Sequence, residues 1–314
     1  SSAASDVYKR QVVEDDSDFD YLVATPWFYV NREAFYDFLE RTPGHITVMY
    51  GCHEAIAPDF MLFDYYIGLD TVPGSDRTVK LPYLRHHLQE VHGGKEGLDA
   101  HALLASKTGF CNFIYANRKS HPNRDAMFHK LSAFRFVNSL GPHLNNTPGD
   151  GHRAEDWDAS SIRMKKPYKF SIAFENAWYP GYTSEKIVTS MLAGTIPIYW
   201  GNPDISREFN SASFINCHDF PTLDAAAAYV QKVDEDDSLW CEIMSRPWKT
   251  PEQEARFLEE TERETAKLYK IFDQSPEEAR RKGDGTWVSY YQRFLKRGHR
   301  MQLAWRRLKN RLRR

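Results

Sequence analysis

At 314 residues the chain can hold one large or two ordinary domains with ample length for a core, and 41% hydrophobic against 27% charged residues is the balance of a soluble globular protein. No apolar run approaches the roughly 18 residues a membrane span needs, which excludes a transmembrane helix. The net charge of −2 argues against a nucleic-acid binder, and four scattered cysteines without a C-x-x-C pair argue against a zinc site and for a reducing compartment.

Residues 1–11, SSAASDVYKRQ, look like a non-native scar and are set aside; an acidic run from Glu14 to Asp20 follows. A short strand is expected at Tyr21–Ala24, a helix at Arg32–Leu39 and a strand at His45–Tyr50. Glu54 comes just after that strand, in a turn closed by Pro58, where open α/β sheets place their ligands; a solvated loop glutamate would look the same. Leu62 to Leu69 read mostly as core, with Asp64 as a structural hydrogen-bonding carboxylate. A strand follows at Arg77–Tyr83. From His86 to Lys107 periodicity is lost, and His86, His87, His92 and His101 lack the spacing of metal ligands, so a domain boundary fits better there. Phe110–Asn117 is a near-continuous apolar run, the mark of a buried parallel strand. In the next helix, Asn123–Phe134, Arg124 occupies the first turn. A cation there opposes the helix dipole, which a bound phosphate would explain and a salt bridge to Asp125 or a solvated face would equally allow. Val137–Gly151 reads as strand and loop, with a formal glycosylation sequon at Asn145-Asn146-Thr147 taken as chance.

The most informative stretch is Tyr168–Gly201, the size of a βαβ unit. Tyr168, Phe170, Ile172 and Phe174 alternate as a strand that ends at the polar pair Glu175 and Asn176. Thr183 or Ser184 can cap a helix carrying Ile187, Val188, Met191 and Leu192 on one face, and Gly194 ends it. The second strand, Thr195–Trp200, contains Pro197, which suits an edge or a strand end. Lys186, in the first turn of the helix, is again a cation at the positive end, suited to an anion among the exposed amides. Glu185 could accept from sugar hydroxyls, or both could be plain surface.

Asn202-Pro203-Asp204 then turns the chain, Ser213–Asn216 is a short strand, and Leu223–Val233 and Leu239–Ser245 are helices. Glu252–Lys270 is a charged helix whose pattern suggests a solvated face. From Tyr291 to Arg314 there are ten Lys or Arg and no acid, leaving the rest of the chain at −12. The interleaved Phe294, Leu295, Met301, Leu303, Trp305, Leu308 and Leu312 make this a basic amphipathic helix, which favours an anionic membrane surface over nucleic acid.

The strings FEN, GYTSEK, AGTIPIYWGNPD and FINCHDF, in that order and spacing, closely resemble the signature segment of the α1,3/4-fucosyltransferases (GT10), the family of the bacterial Lewis-antigen enzymes. The resemblance runs from about Asp18 to Trp248. It implies an α/β GT-B fold, two Rossmann-like domains facing across a cleft: residues 12–104 on the acceptor side, 105–284 binding GDP-fucose, and 285–314 as the basic tail. It further implies that the N-terminal domain is truncated, lacking an opening strand, helix and strand. Carried over residue by residue, it makes Glu54 the general base and assigns Arg124, Asn176, Tyr182, Glu185 and Lys186 to the donor. The expected reaction inverts GDP-β-L-fucose onto a GlcNAc hydroxyl of an N-acetyllactosamine-type acceptor, α1,3 or α1,4, with no metal or other cofactor. Asp156-Trp157-Asp158 and Asp18-Phe19-Asp20 match the D-x-D of metal-dependent transferases but follow no hydrophobic strand. Relatives place the enzyme in the bacterial cytoplasm, peripheral on the inner face of the membrane. The rival expectation is a nucleotide-sugar-binding fragment without catalysis.

Overall fold

The computed structural model describes residues 19–27, 35, 38–39, 41–42, 44–52, 54–70, 72–82, 97–148, 156–283 and 285–312. Residues 1–11, Asp18 of the Asp18-Phe19-Asp20 match, most of the Arg32–Leu39 helix and three of the four noted histidines, His86, His87 and His92, lie outside that set.

Two all-parallel sheets carry the fold. The first consists of β1 (Tyr21–Ala24), β2 (Ile46–Tyr50), β3 (Tyr65–Gly68) and β4 (Thr78–Lys80), in that order. The second follows α1 (Ala100–Ala105) and is built from β5 (Gly109–Phe113), β6 (Val137–Ser139), β7 (Tyr168–Phe174), β8 (Ile196–Trp200) and β9 (Ile215–Asn216). Its spatial order is β6-β5-β7-β8-β9, a doubly wound order that reverses direction between β5 and β7. Parallel neighbours need crossovers, supplied by α2 (Asn123–Phe134), α3 (Trp157–Lys165) and α4 (Glu185–Leu192). After β8 come α5 (Ile205–Glu208), α6 (Leu223–Glu235), α7 (Asp237–Ser245), α8 (Pro251–Asp273), α9 (Pro276–Ala279) and α10 (Thr286–Leu312).

Both faces of the second sheet are covered, and the period-two alternation of its strands decides what meets what. Phe170, Ile172, Phe174, Ile196, Ile198 and Trp200 join α2, α6 and α7 in one core, whereas Ala173 and Tyr199 point to the other, with Ile187, Val188 and Met191 of α4. Pro197 sits near the start of β8, before the ladder to β9 begins at Ile198, so its missing donor costs that pairing nothing.

The chain does not divide between the lobes at residue 284. Leu268, Ile271 and Phe272 of α8 and Ala279 of α9 pack with Ile46, Val48, Tyr65, Ile67 and Val79 on one face of the first sheet, while Tyr291 and Leu295 of α10 pack on its opposite face. Helix α8 is therefore a strut of 23 residues, about 35 Å long, between the lobes. Its first turn, closed by a Thr250/Gln253 capping box, reaches the second lobe through Gln253 to the Ser206 carbonyl, and its middle reaches the first through Glu264, which accepts from the Lys80 backbone N–H. The face expected to be solvated thus carries the buried Glu264. Strand β3 and helices α1 and α3 were not anticipated. Asp99, whose side chain caps α1, was the available sequence signal.

Asp64 is the structural carboxylate expected. Its Oδ2 accepts from the Thr47 backbone N–H at 2.7 Å and from the Thr47 hydroxyl at 2.8 Å, and its Oδ1 accepts from the backbone N–H groups of Arg281 and Lys282. Fully buried, it fastens the returning C-terminal segment to the first sheet. Asp64→Ala strands three backbone donors and is expected to cost about 3 kcal/mol, read as a lowered urea midpoint with the helical signal of α8 lost in the same transition.

Candidate active site

The direction reversal between β5 and β7 opens a crevice at the carboxyl ends of those strands, the usual ligand position in such sheets. The two strands stay paired up to Asn112 and Ser171. Beyond that point Tyr115 replaces the ladder: its hydroxyl accepts from the Phe174 N–H at 2.7 Å and lies 2.9 Å from the Ile172 carbonyl it can donate to. Gly141 makes this possible, since a Cβ there would stand 2.5 Å from the Tyr115 nitrogen.

The Tyr115 ring forms the floor for Arg124, whose guanidinium carbon sits 4.2 Å above it. Arg124 is 0% exposed despite standing in the first turn of α2. It donates to Asn176 Oδ1 at 3.3 Å and to the Asn117 carbonyl, while Asp125, the alternative partner, is 3.8 Å away and is hydrogen-bonded to His143 instead. Burial draws the Arg124 pKa down, with Tyr115 and Asp125 opposing.

Asn176 in turn donates to the Tyr182 hydroxyl at 3.5 Å, and Tyr182, 1% exposed, donates to Glu54 Oε2 at 3.4 Å. These are long contacts, but they run without interruption from the guanidinium of one lobe to a carboxylate of the other. Glu54 is solvent-exposed after β2, in a turn where its N–H returns to the Gly51 carbonyl at 2.9 Å and Cys52 takes a positive φ of 48°. A second link crosses nearby, from the Tyr179 hydroxyl to Asp70, just past β3. The Tyr179 phenol is pushed up to about 12 by burial and by Asp70, so it remains the donor at neutral pH. The carboxyl ends of both sheets therefore face one crevice.

Lys186 also lies at that crevice and is paired rather than solvated. Its ammonium donates to Glu175 Oε2 at 3.1 Å and to Ser184 Oγ at 2.9 Å, and Glu185 Oε1 is 3.3 Å away. Burial works against the charge, yet the Glu175 and Glu185 carboxylates outweigh it and hold the lysine well above its usual pKa. Ser184 is the N-cap of α4, but its hydroxyl donates to Glu175 instead of capping the helix.

The six residues singled out from the sequence, Glu54, Arg124, Asn176, Tyr182, Glu185 and Lys186, thus gather around one crevice. Sequence reasoning missed Tyr115, Glu175 and Asn202. The last holds the β7–α4 loop: its Oδ1 accepts from Gly181 N–H at 2.9 Å and its amide donates to Thr183 Oγ1 at 3.0 Å. Among the described residues no group of three or more His, Cys, Asp or Glu is arranged to hold a metal, and Asp156 of the D-x-D match pairs with Arg163 at 2.9 Å.

Comparisons with known proteins agree with this layout. The sequence profile described as Glycosyltransferase family 10 (fucosyltransferase) C-term matches residues 104–280. The α-(1,3)-fucosyltransferase FucT of Helicobacter pylori is 28% identical over 238 residues, 66% of this chain and 48% of that protein. A protein of Acanthamoeba polyphaga mimivirus named as a fucosyltransferase is 30% identical over 190 residues, covering 59% of this chain and 31% of its own length. The chain therefore spans half or less of these relatives. A crystal structure of an α1,3-fucosyltransferase superposes with a TM-score of 0.60 at 24% identity, over 80% of this chain and 79% of that one. Another, with GDP-fucose, gives 0.58 at 23% identity over 81% and 93%. At those identities the likeness is one of fold, and the two-lobed α/β architecture is GT-B.

Gly201 supplies a test of the packing around Glu175. Its φ is 152°, and a Cβ would stand 2.5 Å from Glu175 Cβ and 2.4 Å from its Cγ. Gly201→Ala is expected to destabilise the chain by about 2 kcal/mol, measured by thermal unfolding, because neither backbone strand can yield.

Proposed function

The chain belongs to glycosyltransferase family 10, the fucosyltransferases, and we propose that it moves L-fucose from GDP-β-L-fucose to a GlcNAc hydroxyl of an N-acetyllactosamine-type glycan. The observation that carries this reading is the line of contacts from Arg124 through Asn176 and Tyr182 to Glu54, which spans the crevice between the lobes. Displacement at the anomeric carbon releases a diphosphate, and the negative charge that develops on it needs fixed cations and oriented donors. Arg124 and Lys186 are the cations at the crevice. Asn176 and Tyr182 would contact the donor, with Glu185 at the ribose. Glu54, on the opposite wall and in contact with solvent, would take the proton from the attacking acceptor hydroxyl. A single displacement inverts the β-fucoside to an α1,3 linkage, or α1,4 where the acceptor presents that hydroxyl. With two cations supplying the charge, the reaction needs no metal.

Glu54→Gln is expected to lower kcat by 10²–10⁴-fold while leaving GDP affinity within threefold, as measured by transfer to N-acetyllactosamine and by calorimetry. EDTA is expected to leave wild-type turnover unchanged; loss on chelation with recovery on adding manganese would overturn the metal-free route. GDP binding with no transfer, equal in wild type and Glu54→Gln, would instead mark a nucleotide-sugar-binding module.

We also propose that α10 brings the protein to an anionic membrane surface, on the cytoplasmic leaflet of a bacterial cell where lipid-linked glycans are assembled. No helix among the described residues is long and apolar enough to cross a membrane. Helix α10 instead exposes Trp287, Phe294, Met301, Trp305 and Leu312 among its basic residues. Truncation after Lys296 keeps the Tyr291 and Leu295 contacts to the first lobe. It is expected to reduce binding to phosphatidylglycerol vesicles by at least about tenfold at low salt, with turnover on a soluble acceptor unchanged.

A further inference from the structure

Glu175 is a buried carboxylate to which the reaction just outlined gives no part. Its backbone is fixed as a continuation of β7, with its N–H donating to the Trp200 carbonyl at 2.8 Å. Its side chain is 0% exposed and is turned into the start of α4, where Oε1 accepts from the Ser184 N–H at 2.8 Å and Oε2 from the Ser184 hydroxyl at 2.6 Å and the Lys186 ammonium at 3.1 Å. The methylenes fill the space that Gly201 leaves open. Leaving an ionised carboxylate out of water is costly unless it is paired and hydrogen-bonded, and here three donors from one helix end converge on it.

The same contacts constrain the lysine. Lysine has a flexible four-carbon stem and three donors, and orienting it requires partners that do not move. Two of those donors go to Glu175 and to Ser184, itself held by Glu175. Glu185 Oε1, 3.3 Å from the ammonium, is placed to take the third.

We propose that Glu175 is a positioning residue that holds the Lys186 ammonium in place for the diphosphate. It acts through Lys186 and Ser184 and does not itself touch the donor. Its kinetic consequence rests on the fucosyl-transfer reading above; its structural consequence does not. Deleting a negative charge beside a diphosphate site favours anion binding by electrostatics alone, so loss of positioning and loss of charge push in opposite directions. Glu175→Gln is isosteric and keeps one acceptor oxygen for the Ser184 N–H, while its NH2 can only donate where Oε2 now accepts. It is expected to lower kcat at least tenfold with GDP affinity unchanged or tighter. Because the effect passes through Lys186, adding Glu175→Gln to Lys186→Met is expected to lower kcat no further. Multiplicative losses in the double variant, or a kcat within twofold of wild type in the single one, would overturn the proposal.

A second measurement needs no turnover. With the carboxylate removed, Lys186 loses a main support of its charge, and its acetylation by acetic anhydride at mildly alkaline pH, mapped by peptide mass, is expected to rise several-fold as more of it becomes neutral. An unchanged rate overturns the proposal, even in a protein that binds no GDP. A faster rate in a chain that neither binds GDP nor transfers fucose would uphold the Glu175–Lys186 relation and sink the fucosyl-transfer reading. If Glu175→Gln does not fold, Glu175→Asp, which draws the carboxylate back from Lys186 by one methylene, makes the test: a several-fold rise in Lys186 acetylation supports the proposal, and none overturns it.

Discussion

The parting of two strands is the constraint on which this molecule is built. Where β5 and β7 cease to pair, a phenol takes over from the peptide ladder, and Tyr115 satisfies the backbone that the divergence would otherwise leave bare. Without that substitution the buried groups near Phe174 would each cost about 1–3 kcal/mol, and the crevice could not open at that place. The same ring gives Arg124 an aromatic floor, so a cation can be fully buried at the wrong end of a helix. One residue thus both opens the site and furnishes it.

The second requirement is that two lobes meet in a fixed relation. Helix α8 bridges them, Asp64 fastens the returning segment, and Tyr179 and Tyr182 reach from the second lobe to Asp70 and Glu54 of the first. Covalent continuity and side-chain contact both bridge the gap, and this is how a loop carboxylate comes within reach of groups 128 residues further along the chain.

Much of this was legible in the chain itself, for a physical reason. Arg124 and Lys186 stood out because a cation in the first turn of a helix opposes the dipole and asks for an anion. In both cases the first anion or acceptor met is internal: the Asn176 amide oxygen for one, Glu175 for the other. Glu54's position after a strand allowed a ligand-side role, and the resemblance to the fucosyltransferases singled it out. Strand Tyr168–Phe174 followed from periodicity because its alternate residues face two separate cores. What escaped notice was tertiary. Tyr115 looked like one more apolar residue of a strand, since nothing local says that its hydroxyl will complete another strand's ladder. Glu175 looked like a strand-ending polar residue, because its partners lie nine and eleven residues on. Strand β3 is four residues inside an aromatic run without alternation, and α8 looked solvated because its anchors Leu268, Ile271 and Phe272 cluster at one end.

The return of α8, α9 and α10 to the first sheet also sets an order of events at the ribosome. Ile271, Ala279, Tyr291 and Leu295 complete the hydrophobic layers around β1–β4, although they are translated some two hundred residues after those strands. The lobe that emerges first must therefore wait, with Phe35, Phe38, Leu39, Leu62 and Phe63 available for one face of its sheet and the other open until α8 and α9 arrive, while the second lobe can close its own layers as soon as Trp248 has appeared. Synthesis and completion run in opposite directions along this polypeptide, and the early strands are the part that a nascent-chain chaperone would have to shield.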